Sequence, residues 1–392
     1  GEDAAGLRHP PGRSPGGWVG TSCMSDRIWT RRGVVTTLAA AAAGVPFLPR
    51  GRSRGSGDVV LRFTSHVPQS HGFVPVFTSF YQRVEEETQG RLRIEPMWNG
   101  ILHGPMDGFK ACVTGLTDYT HGYITYQPGS FHLMHGLQLP FVFPSAPVAS
   151  LVAEEIYPRF FKSEYEAMGV YLATCDSTSP YQVISREPVL TLEDLRGLKI
   201  RATGGIVAEI YRDLGAVPVV MAAAEVYPAF QRGIIDAVSL GVPDIASYRL
   251  QEVGKFLTRV NLNVTVLQYA LSRRSFDALP DDLRQQFVDL LRIRSQMCAQ
   301  DYYSGPVEDE AYAELRAGRC EILDLEPAER ERWREALQPL RDRFIVENEA
   351  EGRPASEMLQ EMERLSALYS PLSREEIMAR VTDNPIQGII DL

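Results

Sequence analysis

Apolar positions along this chain recur in two alternating periods. Val59, Leu61 and Phe63 are spaced two apart, which predicts a strand ending at Ser65-His66. Phe73, Val76 or Phe77, Phe80 and Val84 then follow helical spacing up to Gly90. Leu92 and Ile94 return to period two, and Met106, Phe109, Val113 and Leu116 form a second helical stripe before a strand near residues 118–123. Strands and helices alternating at this length predict a parallel sheet with crossover helices. Residues 123–143 turn loop-like and aromatic, and residues 169–175 give a further apolar strand.

The stretch from Thr191 to Asp244 carries the strongest pattern. Thr191, with Asp194 three residues on, forms a variant of the capping box, and Gly197 ends that short turn. Leu198, Ile200 and Ala202 alternate with Lys199 and Arg201, so both cations share one face of a strand, with Arg201 nearest its C-terminal end. Ligands bind at that end in open α/β sheets. Thr203-Gly204-Gly205 opens an amphipathic helix through Leu214. A planar guanidinium beside free helix N–H groups suits a carboxylate or phosphate; the other reading is an Arg paired with a structural carboxylate. No G-x-G-x-x-G is present, so this is not a dinucleotide fingerprint.

The words LEDLRGLKIR, LGAVPVVM and AEVYPAFQRGIIDAV, with GLQLPFVFPS upstream, resemble the substrate-binding proteins of tripartite ATP-independent periplasmic (TRAP) transporters, the DctP-type family, over roughly residues 58–370. The resemblance implies a two-lobed periplasmic-binding-protein-like α/β fold. Each lobe is a mixed, mostly parallel sheet flanked by helices, and long helices bridge the lobes. It divides the chain into residues 58–178 plus 263–302 for lobe I, 179–262 plus 303–370 for lobe II and the bridging helices, and a peripheral tail at 371–392. Residues 242–260 read as helical, 280–318 as bridging helices, and 320–325 as a late strand. Two further helices are expected at 328–343 and 355–369.

By the same resemblance Arg201 clamps a substrate carboxylate in a cleft that closes on the ligand. The chain is then an extracytoplasmic binder that delivers an organic acid to the membrane permease subunits of a TRAP transporter. The alternative is a periplasmic sensor that presents the same ligand to a membrane kinase. Tyr181 stands where sialic-acid-type members carry a second Arg, and Tyr123 near a position acidic in them. Ser239 and Leu240 replace the Glu-Trp pair that 2-oxo-acid binders place beside a metal. These departures argue against both substrate groups. Tyr123, Tyr126, Tyr181, His66, Ser239 and Thr203 are the remaining candidates to line the cleft, and Glu225 reads as a helix cap.

Composition narrows the field further. The formal charge is −10, yet the first 57 residues carry eight Arg and three acids, which leaves 32 basic against 47 acidic residues, or −15, for the remainder. A body that acidic has no nucleic-acid footprint and must capture an anion locally. Residues 1–23 read as upstream of a start at Met24. Arg31-Arg32 before the apolar run at 36–48 reads as a twin-arginine export signal with a leader to residue 57, the whole being residues 24–57. Cys112, Cys175, Cys298 and Cys320 show no C-x-x-C spacing and read as buried thiols, the alternative being a single disulfide among them. His132 and His135 lack a third ligand, so no metal or other cofactor is implied. No G-x-S-x-G elbow, H-E-x-x-H or Walker loop suggests catalysis.

Overall fold

The computed structural model describes residues 58–127 and 129–392, so the expected upstream residues, export signal and leader lie outside the described residues. In chain order, β1 (Val59–Thr64), α1 (Val74–Glu87), β2 (Leu92–Met97), α2 (Gly108–Val113) and β3 (Tyr119–His121) alternate as the periodicity predicts. Two 3₁₀ turns, Ile124–Tyr126 and Met134–Gln138, precede α3 (Ala146–Phe160), α4 (Lys162–Ala167) and β4 (Val170–Ser177). The second lobe runs β5 (Gln182–Ser185), α5 (Leu192–Leu195), β6 (Lys199–Ala202), α6 (Gly205–Asp213), β7 (Val217–Val220), α7 (Val226–Gln231), β8 (Ala237–Leu240), α8 (Val242–Ser247) and β9 (Phe256–Arg259). The chain then returns as β10 (Val266–Ser272), α9 (Arg273–Asp277) and α10 (Asp281–Asp301). It ends with α11 (Pro306–Ala317), β11 (Glu321–Asp324), α12 (Pro327–Ala350), α13 (Ala355–Tyr369) and α14 (Arg374–Asp383).

Sheet order follows from this route. The first sheet is β2-β1-β3-β10-β4, with β1 parallel to β2 and β3, and β10 antiparallel to both β3 and β4. The second is β11-β9-β5-β8-β6-β7, with β6 parallel to β7 and β8, and β5 antiparallel to β8 and β9. The chain crosses between the lobes after β4, after β9 and after α10, and returns along α12 to α13 and α14, which pack on α3 and α10. The passages after β4 and after β9 pair with each other: the Thr178 N–H donates to the Thr265 carbonyl at 3.0 Å, that of Tyr181 to Asn263 at 2.7 Å, and that of Leu262 to Tyr181 at 3.1 Å. The hinge is therefore a two-stranded ribbon.

Two expectations need correction. Residues 256–259 are not helical; they form β9, because pairing with β5 and β11 fixes them as a strand whatever their local preference. The segment after Ser370 is not peripheral. Ser373 and Glu376 cap α14 reciprocally, and Ile377, Val381, Ile389 and Ile390 are buried in the main core. Among the described residues no helix is long and apolar enough to cross a membrane. Cys112, Cys175, Cys298 and Cys320 are free and buried.

Candidate functional site

The capping box at Thr191 and Asp194 forms, with the Thr191 hydroxyl accepting from the Asp194 N–H at 3.3 Å and the Asp194 carboxylate accepting from the Thr191 N–H at 2.9 Å. It launches the chain into β6, where Ile200 and Ala202 enter the core and Arg201 occupies the opposite face. Arg201 is only 1% exposed. Its Nε and Nη2 donate to the Met221 carbonyl at 3.2 and 3.1 Å, and its Nη1 reaches the Ser239 carbonyl at 3.5 Å. Among the described residues no carboxylate forms an ion pair with it; the buried ion pairs belong to Arg292 with Glu154 and Arg294 with Asp176.

The turn after β6 brings the lobes together. Gly204 adopts φ 124°, and a Cβ there would stand 3.0 Å from the Thr125 carbonyl of the first lobe. Only glycine accepts both that backbone geometry and that approach without strain. Thr203 and Thr125 each bury a hydroxyl that has no hydrogen-bond partner, as does the Nδ1 of His66. Buried polar groups are ordinarily paired, so these three leave hydrogen-bonding capacity free beside this seam.

His66 follows the C-terminal end of β1, and its ring lies 5.7 Å from that of Tyr123 and 6.1 Å from that of Tyr126. Burial lowers the His66 pKa to about 4, with His103 adding to the effect, so the ring is neutral at pH 7. Tyr126 crosses the seam. Burial raises its phenol pKa, opposed by the Arg201 guanidinium and the Ala223 backbone of the other lobe. Tyr181 is buried at the start of β5, its pKa pushed up to about 12 by desolvation and pulled back by Arg201. Arg201, Tyr126, Tyr181, Tyr123, Thr203 and His66 are thus gathered at one seam.

Ser239 behaves differently. Its hydroxyl accepts from Tyr211 on α6 at 2.7 Å, so what it offers Arg201 is a carbonyl. Glu225 accepts from the Ala222 N–H at 3.1 Å, a capping contact. His135 donates to the Gln127 and Ser130 carbonyls at 3.3 and 3.1 Å and lines, with His132, a separate cavity of about 580 Å³ beside α12. A second concavity of about 740 Å³ opens near Phe141 and Tyr312. Neither contains Arg201, whose neighbours are covered because the lobes are shut over them.

Sequence reasoning passed over the clasp that holds this closure. Asp244 on α8 accepts from the Tyr302 hydroxyl at 3.1 Å and the Tyr303 hydroxyl at 3.5 Å, and faces His71. The Gly72 N–H donates to Ser247 at 3.0 Å. Tyr248 packs its ring 5.0 Å from that of His71. The Tyr302-Tyr303 doublet ending a long helix was the visible signal, although nothing in the sequence gives its partner.

A family comparison matches residues 63–348 to the bacterial extracellular solute-binding proteins, family 7 (DctP). The chain belongs to this family. This family 7 member is 26% identical over 322 residues to the C4-dicarboxylate-binding periplasmic protein DctP of Rhodobacter capsulatus, spanning 79% of this chain and 91% of that one. Among solved structures, a TRAP periplasmic solute binding protein from Bordetella bronchiseptica with bound (R)- and (S)-mandelate aligns with TM-score 0.74 at 23% identity, over 79% of this chain and 99% of that chain. A TRAP solute binding protein from Rhodoferax ferrireducens in complex with copurified benzoate gives 0.75 at 20% identity, over 80% and 99%. The two lobes are those of a TRAP-type solute-binding protein, and membership assigns the chain an extracytoplasmic, ligand-binding role.

Proposed function

We propose that this chain captures a small organic acid between its lobes, with Arg201 clamping the carboxylate, and hands it to the membrane permease subunits of a TRAP-type secondary transporter. The observation that carries this reading is a buried guanidinium that, among the described residues, bonds to backbone carbonyls beside the Tyr126 hydroxyl and has no carboxylate ion-paired to it. Burying an unpaired charge costs several kcal/mol, so a site keeping one is suited to an incoming anion. Tyr126, Tyr181, Tyr123, His66 and Thr203 surround the seat, and Ser239 supports Arg201 through its carbonyl. Relatives described with mandelate, benzoate and C4-dicarboxylates support an acid as ligand.

On this reading lobe I comprises residues 58–178 and 263–302, and residues 179–262 with 303–370 form lobe II and the bridging helices. The protein is a binder rather than an enzyme and reaches the periplasm by the twin-arginine route. The test is a thermal-shift screen of organic acids followed by calorimetry on Arg201→Ala. A ligand at one hundred times its dissociation constant adds about 2.7 kcal/mol of apparent stability. Affinity within about threefold of wild type in a folded Arg201→Ala protein would place the anion seat elsewhere.

A further inference from the structure

The cavity of about 580 Å³ beside α12 lies apart from Arg201 and falls in the size range of small-molecule sites. Leu340, Phe344 and Glu347 recur on α12 at helical spacing, with Glu351 just past the helix end, so all four face the cavity together. Across from them α6 presents Ile206 and Glu209. Three carboxylates thus meet one guanidinium, that of Arg353, which donates to the Asn348 side chain at 3.4 Å. Among the described residues none of the three is ion-paired, and the nearby Arg343 is held by Asp213 at 2.6 Å. Burial raises the Glu209 pKa; Arg343 opposes the shift and Glu347 adds to it. The C-terminal end of a helix carries partial negative charge and ordinarily attracts Lys or Arg. The last turn of α12 has no basic residue and holds Glu347 and Glu349 instead.

An independent observation points the same way. His135, which lines this cavity, is 6% exposed, and its Nε2 donates to the Gln127 and Ser130 carbonyls. The Nδ1 of the neutral ring is therefore an acceptor. That nitrogen is buried without a partner, 3.4 Å from where a Cβ on Gly205 would stand at the cavity wall. A lone pair and three carboxylates call for a donor that carries positive charge. Among the described residues no three His, Cys, Asp or Glu side chains are grouped to hold a metal ion, which leaves an organic cation. We propose that this cavity binds a small primary ammonium ion, its N–H groups on the His135 Nδ1 and Glu209 and its carbon body against Ile206, Leu340 and Phe344. Glu347 and Glu351, both exposed, supply charge at the mouth.

The experiment is calorimetry at pH 8 and constant ionic strength with butylammonium, 2-phenylethylammonium and 1,4-diaminobutane, set against tetramethylammonium, which carries the charge but no N–H. At least one primary ammonium is expected to bind about tenfold or more tighter than tetramethylammonium. Glu209→Gln is expected to weaken that binding by about tenfold or more, the loss typical of a hydrogen bond to a charged group. Glu347→Gln is expected to weaken it less, and Glu335→Gln, exposed on α12 outside the cavity, to leave it unchanged. Glu209→Ala stands in where Glu209→Gln fails to fold. No binding by any of the three primary ammonium ions would overturn the site. Affinity unchanged in both the Glu209 and Glu347 variants, or lowered as much by Glu335→Gln, would place the cation elsewhere on the acidic surface. Tetramethylammonium binding as tightly as the others would overturn recognition through the His135 nitrogen.

Discussion

The Asp244 carboxylate of one lobe lies 3.5 Å from the His71 imidazole of the other, yet near neutral pH the two are not an ion pair. Burial raises Asp244 from 3.8 to about 7, with the Tyr302 and Tyr303 hydroxyls and Arg201 pulling the other way. Burial lowers His71 from 6.5 to about 3, with His66 adding to it. Between pH 3.8 and about 7 the folded Asp244 holds a proton that the unfolded chain has lost, so its contribution to stability falls as pH rises through that window. His71 acts oppositely: below pH 6.5 the unfolded chain takes up a proton that the folded ring refuses until about 3, so stability falls as pH drops. Asp244→Asn should therefore shift the melting temperature upward relative to wild type increasingly from pH 5 to pH 8. A difference that stays constant across that range would contradict the assignment.

Arg201→Ala should weaken binding of the acid by about 2 to 5 kcal/mol, because the ligand carboxylate would stay desolvated without its partner. That is roughly 30-fold to several-thousand-fold in affinity. Arg201→Lys keeps the charge but loses the planar fork shared among ligand, Met221 and Ser239, and should recover little. Calorimetry on the two variants side by side separates geometry from charge; equal affinity of the Lys variant and wild type would show that charge alone suffices.

Gly204→Ala should destabilise the closed protein by about 1 to 3 kcal/mol, the ordinary cost of a strained backbone site. The methyl would also press on the Thr125 carbonyl across the seam. Ligand affinity should fall in the same variant, since opening the lobes relieves the clash and binding must restore it. Denaturant melts with and without ligand check this; loss of stability without loss of affinity would show that Gly204 matters only to its own lobe.

Arg294 is stacked between the rings of Phe77 and Tyr269, 4.1 Å from each centroid, and bonded to Asp176. Removing either charge leaves the other buried and unpaired, at a cost of about 3 to 5 kcal/mol. Asp176→Ala and Arg294→Ala should each lower stability by that much in denaturant melts, and the double variant should lose less than the sum of the two. Additive losses would show that the groups act independently.

Export by the twin-arginine route predicts that replacing Arg31 and Arg32 with Lys leaves precursor in the cytoplasm. Cell fractionation reads the result, and undiminished export of the substituted protein would point to another route.

Much of the lobe architecture is written in local periodicity. The α13 helix, residues 355–369, and the strand that carries Arg201 follow from spacing alone. What escaped was decided at a distance. β9 is a strand because of neighbours in β5 and β11, and the Asp244 clasp joins residues 58 positions apart in the chain, which no local pattern records. The α14 helix is a different case: Ser373 and Glu376 spell a capping box that was legible, but the two prolines in that tail obscured it. At the site, residue types were visible, whereas side-chain direction was not. Ser239 was expected to line the cleft, but its hydroxyl accepts from Tyr211.

The place of β10 between β3 and β4 also bears on how the chain is made. Five of the six strands of the second sheet come from one uninterrupted stretch, residues 182–259, and can pair as soon as that stretch has been synthesised. The first sheet cannot be completed until residue 272 has emerged, so β3 and β4 wait with open edges while the later lobe assembles. Long-range pairing of this kind is slow, and unpaired edges invite contact with other chains. Each sheet is thus finished by a strand made after its neighbours, the first by β10 and the second by β11 at residues 321–324, and β3 and β4 are the strands left open longest.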